Sequence, residues 1–406
     1  MDDLLGGIVT LFVVAVVSAV APIIAAVIPR SLVPQVVIMI LGGILVGPHA
    51  LGYAQTDAIT LFANVGLGFV FLLAGYELEP HLFRERPGRL ALLAWGITVV
   101  ISIVIVGTLD AVGFVQAFGP IAIGLTTTAL GTLLPILRDH DLLAGSFGRY
   151  VLAAGAVGEL LPIVAIALFL GANGSLVALG SLGAMAGLAY AFTFAPRLAR
   201  NERIGRVIRE GEHATSQTTL RWTIVLLLAL LAAAAKFGLD AVLGAFLAGM
   251  VLRRWAPGDV AALERKLDAV GYGFFIPVFF VYSGMGLDVK SIVDNPLRLV
   301  AFFVLLLLAR GLPALFVYRR VLPKVQRVQL MFITATSLPL LVALSEIGLR
   351  NGTMLPQNAA ALVGAGVLSV LVYPTVAVRL GQRAPATLAS RPSSSARPGR
   401  GHARDE

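Results

Sequence analysis

No cysteine occurs among the 406 residues. That excludes disulfides, thiolate metal sites and thiol redox chemistry. Charge is scarce as well: Asp, Glu, Lys and Arg make up 13% of the chain, against about 25% in a soluble domain. No Gly-x-x-x-x-Gly-Lys-Ser/Thr phosphate loop occurs, which argues against an ATP-driven pump. The five histidines are scattered between apolar runs without metal-ligand spacing. His49, after Gly47 and Pro48, reads as an exposed turn residue. No cofactor and no metal beyond a transported ion is expected. The period-2 alternation of barrel strands is missing too.

What is there is apolar: 58% of the residues are hydrophobic. Runs of roughly 20 apolar residues recur, and without alternation they read as transmembrane helices. The reading is an all-α integral membrane protein with thirteen segments, near 7–28, 32–48, 59–76, 88–108, 117–137, 148–171, 175–196, 220–236, 239–253, 269–286, 297–318, 328–347 and 357–379. The first run follows Asp2 and Asp3 and lacks a cleavage site, so it is taken as the first span. With the N-terminus outside, only Lys236, Lys290, Arg298 and Arg350 of the 31 Lys and Arg fall outside, and Arg310 lies within a segment. This positive-inside bias predicts a cytoplasmic C-terminus in a plasma or inner membrane. The net charge of +9 is thus read as topology facing a lipid bilayer, with no nucleic-acid partner. Residues 381–406, rich in Arg, Pro, Ser, Ala and Gly, read as a disordered basic tail. Residues 1–380 read as the transmembrane unit.

Three pairs of stretches recur in the same order. Leu41-Gly-Gly-Ile-Leu-Val-Gly47 resembles Leu243-Gly-Ala-Phe-Leu-Ala-Gly249, and Val65-Gly-Leu-Gly-Phe-Val-Phe71 resembles Val270-Gly-Tyr-Gly-Phe-Phe-Ile276. Gly124-Leu-Thr-Thr-Thr-Ala-Leu130 resembles Phe332-Ile-Thr-Ala-Thr-Ser-Leu338. The shift is an odd number of segments, so the second copy is inverted in the membrane. The halves are 7–171 and 220–380, with a linker helix at 175–196. Inverted repeats are a transporter architecture with the site at the repeat interface. The competing reading is that small residues recur wherever membrane helices pack closely.

Ionisable residues deep in a span are costly and mark function. Glu159, in Gly155-Ala-Val-Gly-Glu-Leu-Leu-Pro162, and Arg310, in Leu308-Ala-Arg-Gly-Leu-Pro313, stand out. A buried carboxylate binds a cation when ionised and releases it when protonated, so one group can couple two ions. Alternatively the two form a permanent structural pair. The fifth segment holds Thr126, Thr127 and Thr128, then Gly131 and Pro135; the twelfth holds Thr334, Thr336, Ser337 and Pro339. Proline frees a carbonyl, and broken helices at matching positions point to a transport site. Their hydroxyls and carbonyls could ligate a cation, or the hydroxyls could bond back to their own helices. Asn64 is a candidate core polar group. Asp139 is a candidate for a cytoplasmic mouth, although Glu77, Glu79, Asp139 and Asp141 also read as solvated helix ends, and Glu346 as an outer boundary residue.

At Leu41–Gly52, Gly66–Glu77, Leu243–Gly249 and Pro277–Met285 the chain resembles the bacterial monovalent cation:proton antiporter superfamily, in particular the branch holding glutathione-gated potassium efflux systems. The resemblance covers about residues 7–380. It implies thirteen helices, a homodimer, a dimerisation domain and a mobile core with two crossed, broken helices. It maps the ion-binding acid onto Glu159 and a basic core residue onto Arg310. Members usually carry Asp at the acid position, preceded by Asp, Asn or Gln; here the pair is Gly158-Glu159. A lone carboxylate predicts electroneutral exchange of Na⁺ or K⁺ for H⁺ by alternating access. A nucleotide-binding gate of the kind found in many potassium efflux members would need a separate subunit. Two other readings stay open: a sodium-coupled solute symporter of similar fold, and a channel or non-transporting sensor.

Overall fold

The computed structural model describes residues 2–27, 33–77, 83–143, 145–170, 175–194, 217–255 and 260–382. Glu79, the 195–216 connection and most of the basic tail lie outside them. The regular structure of the described residues is all helical, and nine helical spans, some of them joining two or more of the helices named below, are long and apolar enough to cross a membrane. In chain order the first helices are α1 (Asp2–Val27), α2 (Gln35–Val46), α3 (Thr60–Glu77) and α4 (Arg86–Ala111). Next come the half-helices α5 (Phe118–Gly124) and α6 (Leu130–Asp139), then α7 (Gly145–Phe169) and α8 (Ser175–Phe192). The second part holds α9 (Thr218–Lys236), α10 (Ala241–Trp255), α11 (Val260–Val270), α12 (Ile276–Met285) and α13 (Val289–Asp294). It ends with α14 (Pro296–Leu306), α15 (Leu312–Val317), α16 (Lys324–Ala335), α17 (Pro339–Arg350) and α18 (Pro356–Gln382).

The helices sort into two bundles. In the first, α1, α2, α3, α9, α10 and α12 pack together; in the second, α4 to α7 pack with α14 to α18. Glycines set the approach distance in the first bundle. A Cβ at Gly43 would strike the Val281 carbonyl, and one at Gly284 would strike the Ile40 carbonyl. The same reciprocity joins α3 to α10: Gly75 lies on the Phe246 carbonyl and Gly249 on the Leu72 carbonyl. Hydrophobic burial offers little drive between helices in lipid, so close backbone packing holds them.

Two wide π-helical turns interrupt the long helices, at Gly271–Phe275 between α11 and α12 and at Leu307–Gly311 between α14 and α15. Each is followed by a proline, Pro277 or Pro313. Proline cannot donate to the carbonyl four residues back, and a wide turn absorbs the mismatch. One end of the bundles is basic, with Arg86, Arg138, Arg253, Arg319 and Arg320 at helix ends there. The opposite end carries Asp57, Asp288, Glu346 and Arg350.

Candidate functional site

The second bundle is built around two interruptions. The chain leaves helical geometry between Gly124 and Leu130, and again between Ala335 and Pro339. The two extended stretches cross and bond to each other: the Ala129 amide donates to the Thr336 carbonyl at 2.9 Å. The Thr128 hydroxyl donates to the Thr334 carbonyl at 2.6 Å. Thr127 donates to the Gly124 carbonyl at 2.6 Å and so accepts from the Ser337 hydroxyl, 2.5 Å away. These groups are all buried, and in an apolar interior each backbone group needs a partner.

The six hydroxyls divide. Thr127, Thr128 and Ser337 reach across the crossing. Thr126, Thr334 and Thr336 bond back to the carbonyls of Ile123, Leu330 and Phe332, the local pattern common in membrane helices.

α7 grips the crossing through a backbone atom. Pro162 lies inside α7 and, lacking an N–H, leaves the carbonyl of Gly158 without its helical donor. The Thr128 amide supplies that donor at 2.9 Å. Arg310, on the second π-helical turn and 2% exposed, closes the arrangement. Its Nε donates to Thr128 Oγ1 at 2.9 Å and its Nη2 to the Ala154 carbonyl at 2.8 Å. No carboxylate pairs with Arg310 among the described residues. The permanent Glu159–Arg310 pair is therefore not formed.

Glu159 follows Gly158 near the middle of α7 and is partly exposed. It makes no hydrogen bond or ion pair to a described residue. Its carboxylate is within electrostatic reach of Glu77. Glu77 ends α3 at the basic end, with Oε2 lying 4.0 Å from where a Cβ on Gly131 would sit. Tyr272, exposed on the first π-helical turn, is within reach of Glu77, Asp268 and Glu159. The seam between the bundles thus holds Glu159 with Glu77 and Tyr272 on its basic side. No group of three or more His, Asp and Glu side chains arranged for a resident metal occurs among the described residues.

The other sequence candidates lie elsewhere. Asp139 is the last residue of α6, and its side chain lies outside the described residues. Asn64 lies in the first turns of α3, at the opposite end of that helix from Glu77. It lines a cavity of about 570 Å³ at the acidic end of the seam, with Tyr282, Ser283, Ser345, Glu346 and Asp288. There Glu346 pairs with Arg350 at 3.0 Å, while the buried Ser345 hydroxyl has no hydrogen-bond partner among the described residues.

Four participants escape a sequence reading. Ser369 of α18 braces the second interruption, accepting from the Ser337 amide at 3.1 Å and lying 2.9 Å from the Ser337 carbonyl. Ala154 and Gly158 act through backbone carbonyls. Tyr272 stands on a π-helical turn. A Ser in an apolar helix and a carbonyl give no compositional signal; the prolines at 162 and 277 are the only hint.

The transmembrane sodium/hydrogen exchanger family profile matches residues 11–382. The YjbQ protein of Bacillus subtilis, which bears a Na⁺/H⁺ antiporter name, is 25% identical over 398 residues, covering 92% of this chain and 63% of its own. The glutathione-regulated potassium-efflux system protein KefC of Klebsiella aerogenes is 28% identical over 292 residues, covering 68% of this chain and 44% of its own. The chain therefore spans less than two thirds of the length of these relatives. The structure of the sodium proton antiporter MjNhaP1 from Methanocaldococcus jannaschii at pH 8 matches with a TM-score of 0.63 at 18% identity, over 94% of this chain and 99% of that one. At that identity the likeness establishes the fold, an all-helical membrane architecture.

Proposed function

The chain belongs to the sodium/hydrogen exchanger family, a family of transporters and not of enzymes, and from that premise we propose that it exchanges Na⁺ or K⁺ for H⁺ across a cell membrane. One observation carries the reading: Glu159 is a carboxylate in mid-span, partly exposed at the bundle seam beside the crossed interruptions, with no hydrogen-bond or ion-pair partner among the described residues. An unpaired charge at that depth is costly, and either a proton or a monovalent cation relieves the cost. The two ions compete for one group, which is the requirement for antiport.

The transport cycle follows from the same cost. The second bundle carries Glu159 and slides against the first, opening the site to one side and then the other. Binding of either ion neutralises Glu159 and permits the move; the empty, ionised form resists it. One carboxylate serving one ion at a time gives electroneutral one-for-one exchange. Hydroxyls and carbonyls at Thr126–Thr128 and Thr334–Ser337 complete the ion's surroundings. The reciprocal glycine contacts of α2 with α12 and of α3 with α10 support two inverted repeats within a thirteen-helix unit. The basic end faces the cytoplasm by the positive-inside rule, with Asp139 at its mouth, and the protein works as a homodimer.

Proteoliposomes with an imposed pH gradient and a pH-sensitive dye test the proposal. Adding Na⁺, K⁺ or Li⁺ collapses the gradient in the wild type and not in Glu159→Gln, and the ion ranking names the substrate. Equal collapse in the variant, or none with any cation, overturns it. The cavity of about 570 Å³ near Asn64 favours a second reading, sodium-coupled solute symport. Proton movement driven by a cation alone, with no organic solute present, decides against that reading.

A further inference from the structure

Position 158 has no room for a side chain. A Cβ there would stand closer than 3.0 Å to Arg310 Nη2, Thr128 Oγ1 and Thr128 Cβ. Two of these atoms belong to the network already described: Nη2 donates to the Ala154 carbonyl, and Oγ1 accepts from Arg310 Nε and donates to Thr334. The Ala154 carbonyl is also the helical acceptor for the Gly158 amide, so Arg310 uses that oxygen's second lone pair. The guanidinium stays charged at any physiological pH, and its charge is met by neutral oxygens instead of a carboxylate. The space next to Glu159 is thus filled jointly by the Thr128 side chain and by a fixed cation reaching in from a different helix.

We propose that Arg310, together with the Thr128 side chain it bonds to, determines the composition and specificity of the ion site by occupying the volume that a side chain at position 158 would take. The inference rests on Glu159 being the ion-binding group. The site then holds one anionic ligand backed by a fixed positive charge, and a second ligating side chain is excluded by volume. A ligating residue enters at 158 only when residues 310 and 128 are both shortened. The fixed charge also disfavours a cation in the site relative to a site lacking it, which weakens binding and favours release.

Reciprocal substitution tests this, with two independent readouts. The first is the melting temperature of the detergent-purified protein, which does not depend on transport. Gly158→Ala and Gly158→Asn each lower it, and combination with Arg310→Ala and Thr128→Ala removes most of that loss, because residues sharing one volume couple. The second is exchange in proteoliposomes. Gly158→Asn with Arg310→Ala and Thr128→Ala recovers about tenfold or more of the rate lost in Gly158→Asn alone, the size expected of contacting residues. It also changes the apparent KM and the ranking of Na⁺, K⁺ and Li⁺, because an amide oxygen now faces the ion. Purely additive losses in both readouts overturn the proposal. So does failure of every position-158 variant to fold even with Arg310→Ala and Thr128→Ala together, since that pair removes the two nearest obstructing atoms. Transport absent from the wild type would instead fail the exchange reading, leaving the melting-temperature coupling to be judged separately.

Discussion

Pro162 acts four residues away from itself: by withholding an N–H it releases the Gly158 carbonyl to Thr128. Pro162→Ala restores a competing donor within α7. The Thr128 amide should then exchange hydrogen faster, and the apparent KM for the cation should rise while the helix itself is no less stable. An unchanged Thr128 exchange rate would show that the grip does not depend on the proline. Ser369→Ala leaves the buried Ser337 amide without its acceptor. An unsatisfied buried donor costs about 1–3 kcal/mol, so the melting temperature should fall and Ser369→Thr should recover much of it. At this scale the sequence was legible where charge stood in an apolar run, as at Glu159 and Arg310. It was illegible where a contact at the crossing rests on a backbone oxygen, as at Ala154 and Gly158, or on an ordinary serine, as at Ser369. Asn64 was legible as a membrane-embedded polar group but not as a cavity wall, because its neighbours Ser345 and Glu346 come from a helix remote in sequence.

Among the elements, the first bundle depends on glycine and the second on hydrogen bonds. Gly249→Ala would drive a Cβ into the Leu72 carbonyl and the Tyr76 amide. Overpacking of this kind costs about 1–3 kcal/mol. Gly96→Ala in α4, where nothing lies within 4 Å, should be neutral or slightly stabilising; differential scanning fluorimetry of both variants checks the contrast. The short helix α13 is capped by Asp288, which accepts from the Ser291 amide at 3.1 Å and its hydroxyl at 2.5 Å. These bonds hold the Asp288 carboxyl below the usual carboxylate range. A lowered folded value means the cap contributes fully above about pH 4 and is lost as pH falls through the lowered value. Exchange protection at Ser291 should follow that course and be weak at every pH in Asp288→Ala. The interruptions in the fifth and twelfth segments were legible because Thr, Gly and Pro cluster there. The π-helical turns were not, since Pro277 and Pro313 mark a disturbance but not how the chain absorbs it.

For the whole molecule, two bundles meet along a seam with Glu159, Glu77 and Tyr272 towards the basic end and the Asn64–Ser345 cavity at the other. The chain has no cysteine, so a single introduced thiol is a clean reporter. If the bundles alternate, labelling of Ser345→Cys and Tyr272→Cys by a hydrophilic maleimide should respond in opposite directions when the cation is added or withdrawn. Changes of the same sign would mean general loosening instead of alternating exposure. The two bundles also predict two kinds of tolerance to sequence change. Where Gly43, Gly75, Gly249 and Gly284 hold backbone against backbone, harm should grow with the volume of the incoming residue, whatever its polarity. Around Thr128, Ser337 and Ser369 it should follow lost donors and acceptors, whatever the size. A saturation survey of the chain would then divide into two territories with different rules, and their border would trace the seam between the two bundles.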